Sequence, residues 1–404
     1  MPERNVSFNL NNPFFLYIMA FFIVSNLNRV FTSINSTFQI SSFAMFMNIL
    51  LILIFYKTNL NKQKLYIGML LMAVHTMIFI NFGLVNSKLD SSSQYIVMKY
   101  IQNFVICVVV VFVINRKIHL QQLLLVIGYA GVLLAVLGIL EFLEIFKVME
   151  MVGVYKENNG RPGSMWIDPN QYAAAIVFSY LCISKYGNNK VNILLKIIMI
   201  LGIVASSSRS AFFVLLIIIF IESIVLQKWE LRVIKKIIVG CSITMIFLAL
   251  LFTFIRSNLW IQDLLYNSRL DRLMFWNTNE HQDDVSNGRM DALVISVETA
   301  SRNLIFGLGI GNSTKVTGQG AHNMFIYTFA ETGIISLFTY ILFLLSLLIT
   351  AIKNFIVNGN KFSISLFMYL FLYSFFSHTL MINGISGIAV GIILLYKKFM
   401  YVNN

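Results

Sequence analysis

The sequence has little charge and less cysteine. Asp, Glu, Lys and Arg make up 12% of its 404 residues, against roughly a quarter in a soluble globular domain. So few ionic groups exclude a soluble enzyme and a disordered chain, and four prolines exclude a collagen. The three cysteines, Cys107, Cys182 and Cys241, stand singly in apolar runs. That arrangement offers neither a disulfide framework nor a metal knuckle, and the three read as small hydrophobes. Acid is scarcer than base, with 17 Asp and Glu against 30 Lys and Arg and a net charge of +13. The first fifteen residues show no marked basic stretch and no small-residue cleavage site. The apolar run after them is therefore expected to be a span and not a removed signal.

What the chain does have is apolar mass. Hydrophobic residues make up 58% and the mean hydropathy is +0.78. That is roughly 234 apolar residues, close to the number twelve bilayer-spanning helices of about 20 residues use. The expected fold is all-α: a polytopic integral membrane protein of about 12 transmembrane helices, ten at the least, with a large extracytoplasmic loop carrying short helices. Apolar stretches lie near 13–31, 38–56, 65–86, 95–114, 120–146, 171–184, 191–207, 210–227, 237–255, 321–350, 363–380 and 384–396. They are too long and continuous for barrel strands. Four regions follow: N-terminal helices (1–148), helices bearing the Arg161 and Arg209 segments (149–255), a large loop (256–320) and C-terminal helices (321–404).

The links between stretches alternate in character. About 17 of the 30 basic residues fall in short links on one side, in KTNLNKQK (57–64), NRKIH (115–119), SKYGNNK (184–190) and QKWELRVIKK (227–236) among others. Such an excess marks the cytoplasmic face. Both termini are then expected in the cytoplasm, with every long loop outside. The charge thus orients the helices, and no nucleic-acid partner is expected.

The outer segments hold the candidate chemistry. Arg161 stands in GRPGSMWIDPN, where a structural ion pair with Asp168 is the plain alternative to a ligand role. Arg209, in SSSRS, sits between two spans near membrane level, a place where an arginine either snorkels or meets an anion. Ser206, Ser207, Ser208 and Ser210 could share that anion. Within SNGRMDALVISVETASRNLIF, caps at Ser286 or Asn287 and apolar residues at Met290, Leu293, Val294 and Val297 predict an amphipathic helix. It would lie on the outer interface. Arg289, in its first turn, opposes the helix dipole, which suits an anion held jointly with free backbone N–H groups. The alternative is a pair with Asp284 or Asp291. His322 opens AHNMFIYTFAETGIISLF at the mouth of a span and could serve as base, proton donor or cap. Glu331, nine residues on, lies about 13 Å deeper on the opposite helical face, and an arginine from another span is its expected partner. GLGIGN (307–312) reads as a flexible turn, not as a dinucleotide loop. Asp283 and Asp284 beside His281 are too sparse for a metal site.

Together these pieces resemble the O-antigen ligase and polymerase superfamily of bacterial surface polysaccharide assembly. The resemblance covers roughly 150–345 and rests on GRPGSMWIDPN, SSSRSA, SNGRMDAL, GLGIGNS and AHNMFIYTFAETGIISLF in that order. It implies an undecaprenyl-diphosphate-linked donor, transfer of its glycan to a sugar hydroxyl outside the cytoplasm, and neither cofactor nor metal. Arg209 and Arg289 would clamp the diphosphate, and His322 would orient or deprotonate the acceptor. Arg161, Asn323, Ser208, Ser210 and Glu331 would assist in binding substrate. The expected role is a polymerase acting on O-antigen, capsule or exopolysaccharide in the bacterial cytoplasmic membrane, its site on the outer face. Further expected partners are a chain-length regulator and a flippase of the same pathway. A ligase acting on another acceptor is the nearest alternative, and a flippase the alternative from another class.

Overall fold

The computed structural model describes residues 13–34, 40–55, 67–87, 90–114, 116–151, 161–166, 168–185, 190–225, 289–318, 320–359 and 361–395. Every regular element among them is helical. In chain order these are α1 (Phe14–Ser25), α2 (Leu27–Ile34), α3 (Ile40–Phe55), α4 (Ile67–Asn86), α5 (Ser91–Val113) and α6 (Lys117–Phe142). There follow the single turn α7 (Val148–Met151), α8 (Pro169–Ser184), α9 (Lys190–Ala205) and α10 (Arg209–Phe220), which runs into a π-turn over Ile221–Val225. The last five are α11 (Arg289–Ser301), α12 (Asn312–Thr317), α13 (Met324–Asn358), α14 (Lys361–Phe376) and α15 (Ile385–Leu395). Each apolar stretch of the sequence coincides with a helix except 237–255, which lies outside the described residues. Of these helices α4, α5, α6 and most of α13 are long and apolar enough to cross a membrane.

Helices α4 and α13 pack on each other, α6 lies against α8 and α9, and α15 lies on α5. Small residues set these contacts, since lipid-embedded helices gain from close van der Waals approach and not from expelling water. A Cβ at Gly131 would strike Ser179, one at Gly138 would strike the Tyr172 ring, and one at Gly202 would lie 2.7 Å from the Ala135 Cβ. Buried polar side chains bridge helices. His75 Nδ1 meets Thr339 Oγ1 at 3.2 Å, and Asn103 Nδ2 donates to Ser386 Oγ at 2.9 Å. Asn103 Oδ1 in turn accepts from Gly387 N at 2.7 Å.

Two helices expected to be continuous are broken. The stretch 13–31 divides at Asn26, whose φ of 55° is left-handed. Its Nδ2 donates to Met165 O at 2.9 Å, and Trp166 Nε1 donates to Val24 O at 3.3 Å. The break is therefore filled by the GRPGSMW segment, and Pro162–Trp166 are buried where an exposed outer loop was expected. The stretch 321–350 continues to Asn358 but breaks at Gly333, with φ 80° and ψ −175°. Its freed backbone groups are taken up by the chain before α12. Leu308 N donates to Ala330 O (2.7 Å), Gly309 N to Glu331 O (2.9 Å) and Ile334 N to Leu304 O (2.8 Å).

The GLGIGN segment is accordingly a packed wedge and not a flexible turn. Gly307, Gly309 and Gly311 all have positive φ. A Cβ on Gly307 would lie 2.7 Å from Ala330 O, and one on Gly309 would lie 2.6 Å from the backbone of Asn86 and Ser87. Only glycine accepts both the conformation and the approach.

Candidate functional site

The alternation of helices brings the start of α8, the α9–α10 turn, the turn before α13 and the α14–α15 link to one end of the molecule. Helix α8 begins there with a capping Asp168, whose Oδ1 accepts from Asn170 N at 2.8 Å, and with Pro169 in its first turn. Both features favour a helix start. They leave the adjacent side chains of Asn170 and Gln171 reaching two different turns.

Asn170 Oδ1 accepts from Ser208 Oγ at 3.0 Å and from Arg161 Nη2 at 3.4 Å. Arg161 also donates through Nε and Nη2 to Ser206 O, at 3.2 and 3.1 Å, and through Nη2 to Ser207 O at 3.3 Å. These carbonyls follow the C-terminus of α9, where acceptors lack helical donors and a cation is favoured. The arginine thereby sets the SSSRS turn. Ser208 caps α10 and lies 3.3 Å from Ser210 Oγ. Arg209 is the first residue of α10; it is exposed and forms no ion pair among the described residues.

Gln171 Nε2 donates to Thr379 Oγ1 at 3.1 Å, in the link between α14 and α15. The neighbouring His378 meets the His322 ring edge to face, with centroids 5.3 Å apart and planes at 86°. His322 itself has φ 48°, a left-handed conformation uncommon outside glycine, asparagine and aspartate. It turns the chain into α13, which Asn323 caps by accepting from Phe325 N (2.9 Å) and Ile326 N (3.2 Å). Burial, with His322 alongside, pushes His378 down to about 4. The other described non-glycine residues with positive φ, Asn26, Glu144, Ser164 and Ser207, lie at this same end. Backbone strain of this kind collects where function constrains the chain.

Below His322, Glu331 is fully buried. The expected arginine partner is not what meets it. Its carboxylate accepts from the N–H of Gly311, from Ser313 N at 3.0 Å and from Ser313 Oγ. Glu331 thus fixes the wedge and α12 to the first half of α13, and it does not touch His322. Truncation in Glu331→Ala strands these donors in the protein interior. The expected loss is about 3 kcal/mol of stability, read as a lower melting temperature in detergent and faster amide exchange at Gly311 and Ser313.

Residues 194–341 match the family model described as O-antigen ligase. Over that stretch the chain is similar to the O-antigen ligase family. None of the curated proteins matches the chain. The matched stretch takes in most of α9, the SSSRS turn, α10, α11, α12 and the first half of α13, and so Arg209, Arg289, His322 and Glu331. Arg161, Asn170, Gln171 and His378 lie outside it in sequence, and the contacts above join them to it in space.

Arg289 begins α11; the expected caps, Ser286 or Asn287, lie outside the described residues. The buried face of that helix differs from the expected stripe. Ala292, Ser296 and Ala300 are buried, whereas Val294, Ile295 and Val297 are exposed. The small-residue seam lets α11 approach α13 closely. Asp284 and the pair it forms with Asp283 fall outside the described residues, as does His281. Among the described residues no three His, Cys, Asp or Glu side chains converge to hold a metal. Sequence reasoning missed Asn170, Gln171, Thr379 and His378. Their signal was present only in the DPNQ helix start.

Proposed function

We propose that this protein transfers a glycan from an undecaprenyl-diphosphate-linked donor to a sugar hydroxyl of a lipid-linked repeat unit, as a polysaccharide polymerase. The observation that carries the reading is the O-antigen ligase match over 194–341, which holds Arg209, Arg289 and His322 in one stretch. The contacts through Asn170 and Gln171 support it by joining the Arg209 turn to the His322 side of the same molecular end. We assign that end to the outer face of the bacterial cytoplasmic membrane, with both termini inside and ten to twelve spans.

In this mechanism the acceptor oxygen attacks the anomeric carbon and the bond from that carbon to the diphosphate oxygen breaks. Undecaprenyl diphosphate leaves with the bonding pair, and the acceptor proton passes to His322. Negative charge grows on the leaving group, so fixed guanidinium groups of Arg209 and Arg289 lower the barrier. An imidazole within reach of the hydroxyl can take its proton as general base. Attack opposite the leaving group inverts the anomeric carbon, and the scheme uses no metal. Arg161 supports the turn that presents Arg209, Ser208 and Ser210, while Asn323 holds the helix start beneath His322.

The family description favours a second reading, a ligase delivering a finished glycan to another acceptor. Reconstitution of the purified protein with diphosphate-linked repeat units separates the two. A ladder of longer lipid-linked chains is expected. Transfer only after a second acceptor is added replaces polymerase by ligase, and flipping of the lipid with no new product overturns the enzyme reading.

A further inference from the structure

Two imidazoles from distant segments meet at this end, and only His322 has a role in the scheme above. The contact between them is built by several residues. Gly320 lies against the His378 ring so closely that any Cβ there would fall within it. Tyr327, from the first turn of α13, closes another side with its ring centroid 5.5 Å from that of His378. The next residue, Thr379, is held by Gln171 Nε2 at 3.1 Å and lies 2.9 Å from Ser377 Oγ. Its backbone N–H also donates to Ser377 Oγ, at 3.2 Å. The ring is thus fixed from three elements, α8, α13 and the α14–α15 link.

Within this seat His378 Nδ1 is buried and has no hydrogen-bond partner among the described residues. A buried polar atom without a partner is costly, and natural interiors keep few of them. Were the residue needed only to fill space, leucine would fill it without that cost. The imidazole instead presents a planar ring edge to face with the histidine of the proposed chemistry, a contact that leucine cannot make.

We propose that His378 is the positioning residue for His322, fixing the plane of its ring toward the acceptor hydroxyl through the edge-to-face ring contact and not through bulk alone. This rests on the reading of His322 as the group that meets the acceptor. His378 itself touches neither donor nor acceptor. Its burial keeps it uncharged, so it sets the neighbouring ring without adding a second cation. Because displacement of a reacting group by an ångström costs up to about 100-fold, loss of the seat is expected to act on turnover and to spare donor binding.

The test uses the full-length protein reconstituted with diphosphate-linked repeat units, with initial rates measured against donor concentration. His378→Ala is expected to lower kcat at least about tenfold with KM for the donor nearly unchanged. His378→Leu fills the space without a planar ring and is expected to be equally impaired. His378→Phe, which returns a planar ring, is expected to recover a substantial part of the rate. Melting temperatures in detergent serve as the folding control. Wild-type kcat in His378→Leu overturns the proposal, as does a parallel change of kcat and KM in His378→Ala. His322→Ala in the same assay separates the two layers. If it is inactive while the His378 variants are normal, only the positioning role falls; if it too is normal, the reading of the site falls with it.

Discussion

His322→Ala is expected to slow glycan transfer at least about 100-fold, the usual range for removing a positioned acid–base group. Expression and melting temperature should stay near wild type, because the His322 side chain is only partly buried and the cap of α13 comes from Asn323. The backbone strengthens the forecast. At φ 48° alanine is no better placed than histidine, so the substitution does not relax the turn and the change in rate reports on the imidazole. Arg289→Ala is expected to fall as far, and Arg289→Lys to remain impaired, since an ammonium keeps the charge but not the paired contacts of a guanidinium. Near-normal transfer by both His322→Ala and Arg289→Ala in the reconstituted assay would remove these residues from the mechanism.

The second large effect concerns the break in α13. At φ 80° and ψ −175°, Gly333 occupies a region that is essentially closed to residues with a Cβ. An added methyl would also overlap the Ile305 carbonyl. Gly333→Ala must therefore displace the chain that pairs with Ala330, Glu331 and Ile334. We expect a loss of about 4 kcal/mol or more from strain, overlap and abandoned hydrogen bonds together. Gly359→Ala provides the internal control. It too has positive φ, 61°, but nothing lies within 4 Å of the added methyl, and about 1 kcal/mol is expected from the conformation alone. Thermal unfolding in detergent distinguishes them, and equal melting temperatures for the two variants would show that the wedge does not depend on Gly333.

The helices were legible because their cause is local. A run of apolar residues in lipid has no better way to satisfy its backbone than a helix. The breaks were not. Asn26 and Gly333 sit in sequences that read as uninterrupted helix, and each break depends on partners far along the chain, Met165 in one case and Leu304–Gly309 in the other. Glu331 shows the same limit in chemistry. A buried acid signals a partner, but the donors that meet it are backbone N–H groups and a serine, which carry no charge to betray them. At the site, the arginines and His322 stood out by type and place. His378 did not, since its seat is made by Gly320, Tyr327 and a threonine held from α8.

The wedge has a mechanical consequence. Helix α11 runs through 302–306 into the glycines, and these are bonded to the first half of α13 on one side and to the α4–α5 corner on the other. The residue that opens α11 and the histidine that precedes α13 are therefore bolted to a common chassis. In the proposed mechanism the protein, and not the glycan, sets the spacing of these two positions. On the proposed reading, a lengthening polymer is met by the turn bearing Arg209, braced by Arg161 and Asn170 and carried on helices α9 and α10, which pack against α6, α8 and α14.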